Sequence, residues 1–460
     1  MTTTDLTITF PTDKSRRKAL WLIRQFTSKR AFLPASIELH RERKLAMQYC
    51  GDGNATYFPT EQAWDAFVEF TRLIQCAEPF ASRSTVNDTN GAFARAFANM
   101  LSDRLLPETV TDLVQYLPET FRRALTSRTE RSFSKLNGVT IQFHGYLLVG
   151  QCWLGNYADL CFDAIPESAN GHKASSLRLI ATAFQDDSAL IAAARNPGTT
   201  DRVTLETTYQ LELALAVLCV LFNVTYEWAF NRLWQVRYVD KPELGFSNQR
   251  SFSIIVDGQQ PAPPQLGLSM KFREQWFEIN EDLVATWHSM GLGILNRLVA
   301  DPAYREIDLV GRLLTALRHF RLAAVQHAPE MQMSTLWVCV ESFFTRASDR
   351  VLNENLPALV ATTVSSLRRE YWPSRSRTPD ELRRVFTEYY RHRSRTLHHG
   401  RRGHVSESDV QEFSLVVASL IIDVAYMIRR GTRTADDLAR ASSQALHGLN
   451  PNAAPNPTDD

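Results

Sequence analysis

The chain has 460 residues, 44% of them hydrophobic and 22% charged, with a formal net charge of +1. That length asks for more than one hydrophobic core, and the composition excludes a disordered chain. The balanced charge excludes a molecule-wide attraction to nucleic acid or membranes, so any electrostatic footprint must be local.

Six cysteines (Cys50, Cys76, Cys152, Cys161, Cys219 and Cys339) are widely spaced and form no CxxC. Their spacing argues against structural zinc and against a secreted disulfide framework, and for a reducing compartment. "MTTTDLTITFPTDKSRRK" lacks the apolar centre of a signal peptide. A cytoplasmic protein is expected, with no metal or cofactor and no membrane partner.

In the first part of the chain, β-type runs occur at 6–10, 139–150 and 251–257, and a long helix is expected from about Thr204 to Val236. The apolar run from Leu213 is too short for a bilayer, and the one from Phe413 is broken by Asp423, so both predict buried helices. "FNVTYEWAFNRLWQVRY" (222–238) interleaves aromatic rings with Arg232 and Arg237; packing into a core is favoured over base stacking.

The Pro-rich stretch 259–267 is the best linker, and the chain after it is helical. Helices are expected from Ile307 to Gln326, from near Ser334 with Leu336, Val340, Phe343 and Phe344 inward, and from after Asn355 to before Pro373. The next carries Thr378 as N-cap, Pro379 at the first position and Glu381 to complete a capping box, with Gly400 as its stop. The last starts at Ser408 with Gln411 three residues on, and ends at Gly431. The expected fold is mainly α: a C-terminal antiparallel helical bundle preceded by a mixed α+β N-terminal domain. The expected division is 1–258 as the N-terminal regulatory domain, 259–267 as linker, 268–448 as bundle and 449–460 as a disordered tail.

Common nucleotide-binding, metalloprotease and nucleophile motifs are absent, and no nucleotidyltransferase signature accompanies them. Acidic pairs at Asp186–Asp187 and Asp436–Asp437 lack converging oxygens for a hard cation. Histidine is scarce, 11 in the chain, yet His392, His398 and His399 share "EYYRHRSRTLHHG" (388–400). Arg393 and His398, with Ser394 between them and Gly400 closing the helix, resemble the RX4-6H motif of the HEPN superfamily, in particular its ApeA-like branch. "LWVCVESFF", with Leu336, Trp337, Glu341 and Phe344, resembles that branch's upstream helix. The resemblance spans roughly 305–430 and leaves the N-terminal half unassigned. The same loose spacing also fits Arg312/His319, Arg321/His327 and Arg440/His447; only the Arg393 stretch adds the capped helix, the polar residue after arginine and the closing glycine.

The resemblance implies a metal-independent endoribonuclease, a composite site across a homodimer, and a role as a toxic effector in anti-phage defence, triggered through the N-terminal half. Cleavage by 2′-hydroxyl attack needs a base, an acid and positive charge at the phosphate. His398 suits the proton roles near neutral pH, and Arg393 presents a planar fork to phosphate. Ser394 is expected to orient the phosphate. His399 is either a second proton-transfer group or a surface neighbour. Arg391, Arg395, Arg401 and Arg402 form a patch suited to the RNA backbone. Tyr390 supports the site, and Glu341 either pairs with Arg393 across the bundle as part of the site or makes a plain structural ion pair. The alternative is a catalytically inactive bundle serving RNA binding or partner recognition.

Overall fold

The computed structural model describes residues 6–28, 32–34, 49–50, 56–102, 105–126, 130–156, 159–160, 189–226, 228–238, 251–253, 277–344, 356–357, 360–361, 363, 378–399 and 405–446. The chain is mainly helical with a smaller sheet component. It forms two compact units, one from residues 1–130 and 195–208, the other from 131–194 and 209–460. This division differs from the expected boundary at 258. The strands after 130 and the buried helix after 209 share one continuous core with the C-terminal helices, so hydrophobic burial groups them together. The expected linker 259–267 and tail 449–460 lie outside the described residues.

In the first unit, α1 (Asp13–Phe26) packs on α2 (Glu61–Gln75). Thr12 caps α1 by accepting from the Ser15 amide at 3.1 Å, and Thr60 caps α2 in the same way. Short strands β1 (Phe32–Pro34), β2 (Tyr49–Cys50) and β3 (Thr56–Pro59) form an antiparallel sheet in the order β1-β3-β2. Helices α3 (Phe80–Arg83), α4 (Val86–Ser102), α5 (Val110–Gln115) and α6 (Glu119–Thr126) follow. A phenylalanine cluster fills the core, with Phe26 in contact with Phe67, Phe70 and Phe97. The β-type run at 6–10 forms no strand; Thr9 makes only an isolated bridge to Glu78.

The second unit contains β4 (Glu130–Asn137), β5 (Val139–Gln142), β6 (Tyr146–Val149), β7 (Cys152–Asn156) and β8 (Ala189–Arg195). The expected run 139–150 is thus two strands, separated where Gly145 adopts a positive φ of 88°. Helix α7 (Thr200–Thr225) follows, belonging to this unit from residue 209 on, then a 3₁₀ turn (Phe230–Gln235), β9 (Arg237–Tyr238), β10 (Ser251–Ser253) and β11 (Phe277–Asn280). Sheet order is β10-β4-β8-β7-β6 with β9 also on β4, while β11 pairs parallel with β5.

The expected helix to Val236 therefore ends at Thr225, and a tighter turn carries the aromatic residues after it. Residues 213–222 of α7 are buried on every side, including Cys219, whose thiol is pushed up by burial. Thr200–Thr225 and Glu407–Arg429 are the described helices long and apolar enough to cross a membrane, and 78% and 83% of their apolar windows are buried inside the protein. Such burial is what core helices show.

The remaining helices are α8 (Glu281–Met290), α9 (Leu292–Ala300), α10 (Asp308–Val325), α11 (Pro329–Phe344), α12 (Pro379–His399), α13 (Glu407–Arg429) and α14 (Ala435–Leu446). Helix α11 folds back along α10 after 326–328, and α12 and α13 pack on α11. Leu336, Val340, Phe343 and Phe344 face the core as expected, although α11 begins at Pro329 rather than near Ser334. Of the helix expected after Asn355, residues 356–357, 360–361 and 363 are described, all helical. The α13 cap also differs from expectation. Ser406 and Asp409 form the capping box, each bonding the other's amide at 3.1 Å, which leaves Ser408 inside the first turn.

Candidate functional site

Helix α12 presents the site, and its start is fixed by sequence. The Thr378 amide donates to Glu381 Oε2 at 2.7 Å, and the Glu381 amide donates to Thr378 Oγ1 at 3.3 Å. This capping box sets the helical phase of every later residue. Leu382, Phe386 and Tyr389 are buried along one stripe, at spacings of four and three.

Beneath the site, aromatic rings lock three helices together. The Trp337 ring of α11 meets Tyr390 of α12 edge-on at 5.1 Å and Phe413 of α13 at 4.9 Å. Phe413 also contacts Phe386 and Tyr389. The Tyr389 hydroxyl donates to Glu412 Oε2 at 3.3 Å. Trp337 is fully buried, and its indole N–H has no hydrogen-bond partner among the described residues. Leaving that donor unpaired costs free energy that the aromatic packing around it must offset.

Above this layer, Arg393 Nη2 lies 2.9 Å from Oε1 and 3.0 Å from Oε2 of Glu341 on α11. The Arg393 guanidinium carbon sits 5.4 Å from the Tyr390 ring centroid, so the cation has a carboxylate at one end and a π-face beside it. The two side chains are 18% and 21% exposed, which makes this a half-buried pair. One nitrogen serves both oxygens. Arg393 Nε is buried without a partner among the described residues, so the fork is not fully used by Glu341.

Burial raises the Glu341 carboxyl above its usual range, and Arg393 pulls it back down. The Tyr390 hydroxyl is raised, first by burial and then by Glu341, with Arg393 opposing. Both shifts describe a site partly withdrawn from water, where a fixed positive charge acts strongly.

A second acid, Glu388, was not singled out by sequence. Its Oε2 lies 3.4 Å from Arg391 Nη1, and its Oε1 lies 3.8 Å from His392 Nε2 and 3.9 Å from Arg395 Nη1. The i,i+3 and i,i+4 spacing from Glu388 to Arg391 and His392 was the available signal. Arg391 and Arg395 are exposed, as a backbone-contacting patch requires; Ser394 is half-buried. His398 and His399 are the last residues of α12, and nothing is described of their side chains. Arg401, Arg402 and Gly400 lie outside the described residues. The structure therefore brings together Arg393, Glu341 and Tyr390, and places Arg391 and Arg395 along the same helix.

The competing arginine–histidine spacings have other uses. Arg321 is buried, donating from Nη1 to the Leu233 carbonyl at 3.2 Å, and His327 lies beyond the end of α10. Arg312 pairs with Asp308 at 2.7 Å and also donates to the Ser342 carbonyl. Asp437, of the acidic pair on α14, is a helix cap that accepts from Thr434; Asp186 and Asp187 lie outside the described residues.

The aromatic stretch 222–238 divides. Phe230 enters the core as expected, whereas Trp228 and Trp234 are 51% and 38% exposed. Trp228 stacks flat on Phe277 with Arg232 over its ring, and the Tyr226 hydroxyl is raised first by burial and then by Glu278.

The chain matches no family model, no curated protein and no solved structure. The likeness to the HEPN superfamily accordingly stands on the residues of α11 and α12 themselves.

Proposed function

We propose that the protein is a metal-independent RNA endonuclease of the HEPN type, acting in the cytoplasm as a toxic effector of anti-phage defence. The observation that carries this reading is the anchoring of Arg393. A guanidinium held from the facing helix by Glu341, beside exposed Arg391 and Arg395, is a preorganised positive charge whose side chain keeps 18% of its surface open.

Arg393 binds the non-bridging oxygens of the scissile phosphate and stabilises the charge that develops there. His398 serves as the proton-transfer group. The RNA 2′-oxygen bonds to phosphorus as its proton passes to a base, and the bond to the 5′-oxygen breaks as that oxygen takes a proton from an acid. The products are a cyclic phosphate and a 5′-hydroxyl.

Arg393 and His398 are five residues apart, about 140° and about 7.5 Å along a helix, so one helix alone makes a loose site. Two copies of α12 meeting about a two-fold axis supply both proton carriers and two guanidinia. Ser394 and His399 complete the set, and Arg391, Arg395, Arg401 and Arg402 hold the RNA backbone. The N-terminal half senses the trigger.

The second reading is a bundle that binds RNA or a partner without cutting. It is favoured by one observation: Arg393 already has a carboxylate partner within its own chain, as a structural ion pair would. Expression of wild type, Arg393→Ala and His398→Ala, with RNA integrity and growth scored with and without phage, separates the two. Loss of RNA cleavage or protection in both variants, while they still fold and dimerise, supports the nuclease. Wild-type behaviour of both supports the scaffold.

A further inference from the structure

The N-terminal helix α1, "DKSRRKALWLIRQF", uses one face for the core of the first unit: Ala19, Leu22, Ile23 and Phe26 are all buried. On a helical wheel, Lys14, Arg17, Lys18, Trp21 and Arg24 lie on the opposite side, within an arc of about 120°. All five are exposed. Trp21 is 55% exposed and has no ring partner among the described residues. Lys18 pairs with Glu69 of α2, and Lys14, Arg17 and Arg24 have no ion-pair partner there.

An indole open to water stands here among three cations with no ion-pair partner among the described residues. It also stands out in a chain whose formal charge is only +1. Lys14 and Arg24 are ten positions apart, about 15 Å along the helix, with Trp21 between them. A ligand fitting this face must present several negative charges along a line and at least one flat ring that can leave its own stack.

We propose that this face of α1 binds single-stranded RNA, with the backbone phosphates on Lys14, Arg17 and Arg24 and one base stacked on Trp21. The chemistry asks for a single strand, since a duplex buries its base faces. The choice of RNA over DNA rests on the nuclease reading. A membrane surface fits less well, because an interfacial helix needs a free apolar face, and that of α1 already lies in the core. The exposed pair Trp228 and Trp234 lacks this concentration of cations and has Glu278 close by.

The test uses the full chain carrying His398→Ala, so that cleavage does not consume the probe. Fluorescence anisotropy is followed for a labelled single-stranded oligoadenylate, its DNA counterpart, an RNA duplex and vesicles containing phosphatidylserine. Tight binding of the single-stranded RNA is expected, with Trp21→Ala weakening it roughly 5- to 150-fold and Trp21→Phe retaining most of it. Lys14→Ala/Arg17→Ala/Arg24→Ala lowers the magnitude of the log–log salt slope by about 2. Arg391→Ala/Arg395→Ala leaves the Trp21 effect intact.

All substituted positions on α1 are exposed, so unchanged circular dichroism melting checks that the fold survives. Absence of RNA binding, affinity indifferent to Trp21→Ala, stronger binding of the DNA strand, or vesicle binding with the same Trp21 dependence each overturns the proposal. The readout is binding alone. A chain that binds through Trp21 yet never cleaves keeps this proposal and loses the nuclease, and the converse separates them equally well.

Discussion

Breaking the Arg393–Glu341 pair tests whether this contact anchors the site. At about 4 Å between charge centres and an effective dielectric near 20, the attraction is about 4 kcal/mol before solvation is counted. Both side chains are about one-fifth exposed, so desolvation offsets most of that gain. Exposed pairs contribute up to about 1 kcal/mol, whereas stranding one partner of a fully buried pair costs about 3–5 kcal/mol. For this half-buried geometry, Arg393→Met or Glu341→Met should each cost about 2 kcal/mol at pH 7, because each leaves the other charge stranded.

The double variant should cost little more than either single, giving a coupling of about 1.5–2 kcal/mol in a double-mutant cycle read by urea denaturation. The double variant should also fold yet leave RNA intact, which separates the fold from the chemistry. Additive losses, with no coupling, would refute the anchoring argument and remove the main support for Arg393 as a preorganised phosphate clamp.

Three further outcomes follow from the geometry. The Glu341 carboxyl should titrate above its usual range in carbon-13 NMR, and higher still in Arg393→Ala, where burial acts unopposed. Because its folded-state pKa is raised, the stability this group contributes is present below the ordinary carboxylate pKa and is lost as pH rises through the folded value; a stability increase over that window assignable to Glu341 would contradict this. Thr378→Ala should cost about 1 kcal/mol by removing the α12 cap, and Thr378→Ser should restore most of it in thermal melts. Asn296→Ala should cost about 1–3 kcal/mol, since its side chain accepts from Gly150 N at 2.7 Å and donates to the Leu148 carbonyl at 2.8 Å, and the buried Gly150 amide would be orphaned. An unchanged denaturation midpoint for Asn296→Ala would mean that the β6–β7 turn satisfies itself another way.

Local signals were legible in sequence wherever one residue alone determines the outcome. Thr378, Pro379 and Glu381 announced the start of α12 because a cap needs only its own side chain and the amide three residues on. Ser408 was the wrong choice for α13 because two serines lie close together, and the competition was settled by which has an acid three residues later to bond back; Asp409 serves Ser406. The end of α7 at Thr225 was hidden for another reason. The apolar pattern continues through Phe230 and Leu233, but a 3₁₀ turn buries those residues as well as an α-helix would. The grouping of residues 131–194 with the C-terminal helices was not legible at all, since strand pairing and shared burial between distant segments leave no local mark.

The site shows the same boundary between local and non-local information. Glu341 and Arg393 are 52 residues apart, and only packing of α11 on α12 tells whether the carboxylate turns inward. Their contact converts one spacing motif among several into a distinct physical object: a cation held by a carboxylate at 2.9 Å and half withdrawn from water. Arg321, at a similar spacing from a histidine, has its guanidinium turned to a backbone carbonyl in the core and is closed to any ligand. An arginine suited to a phosphate must be held firmly enough to lose little entropy on binding, yet keep part of its fork accessible. Of the two, Arg393 is the less buried, its side chain 18% exposed against 8% for Arg321, and that difference in access, more than the motif, is why its substitution is the decisive one.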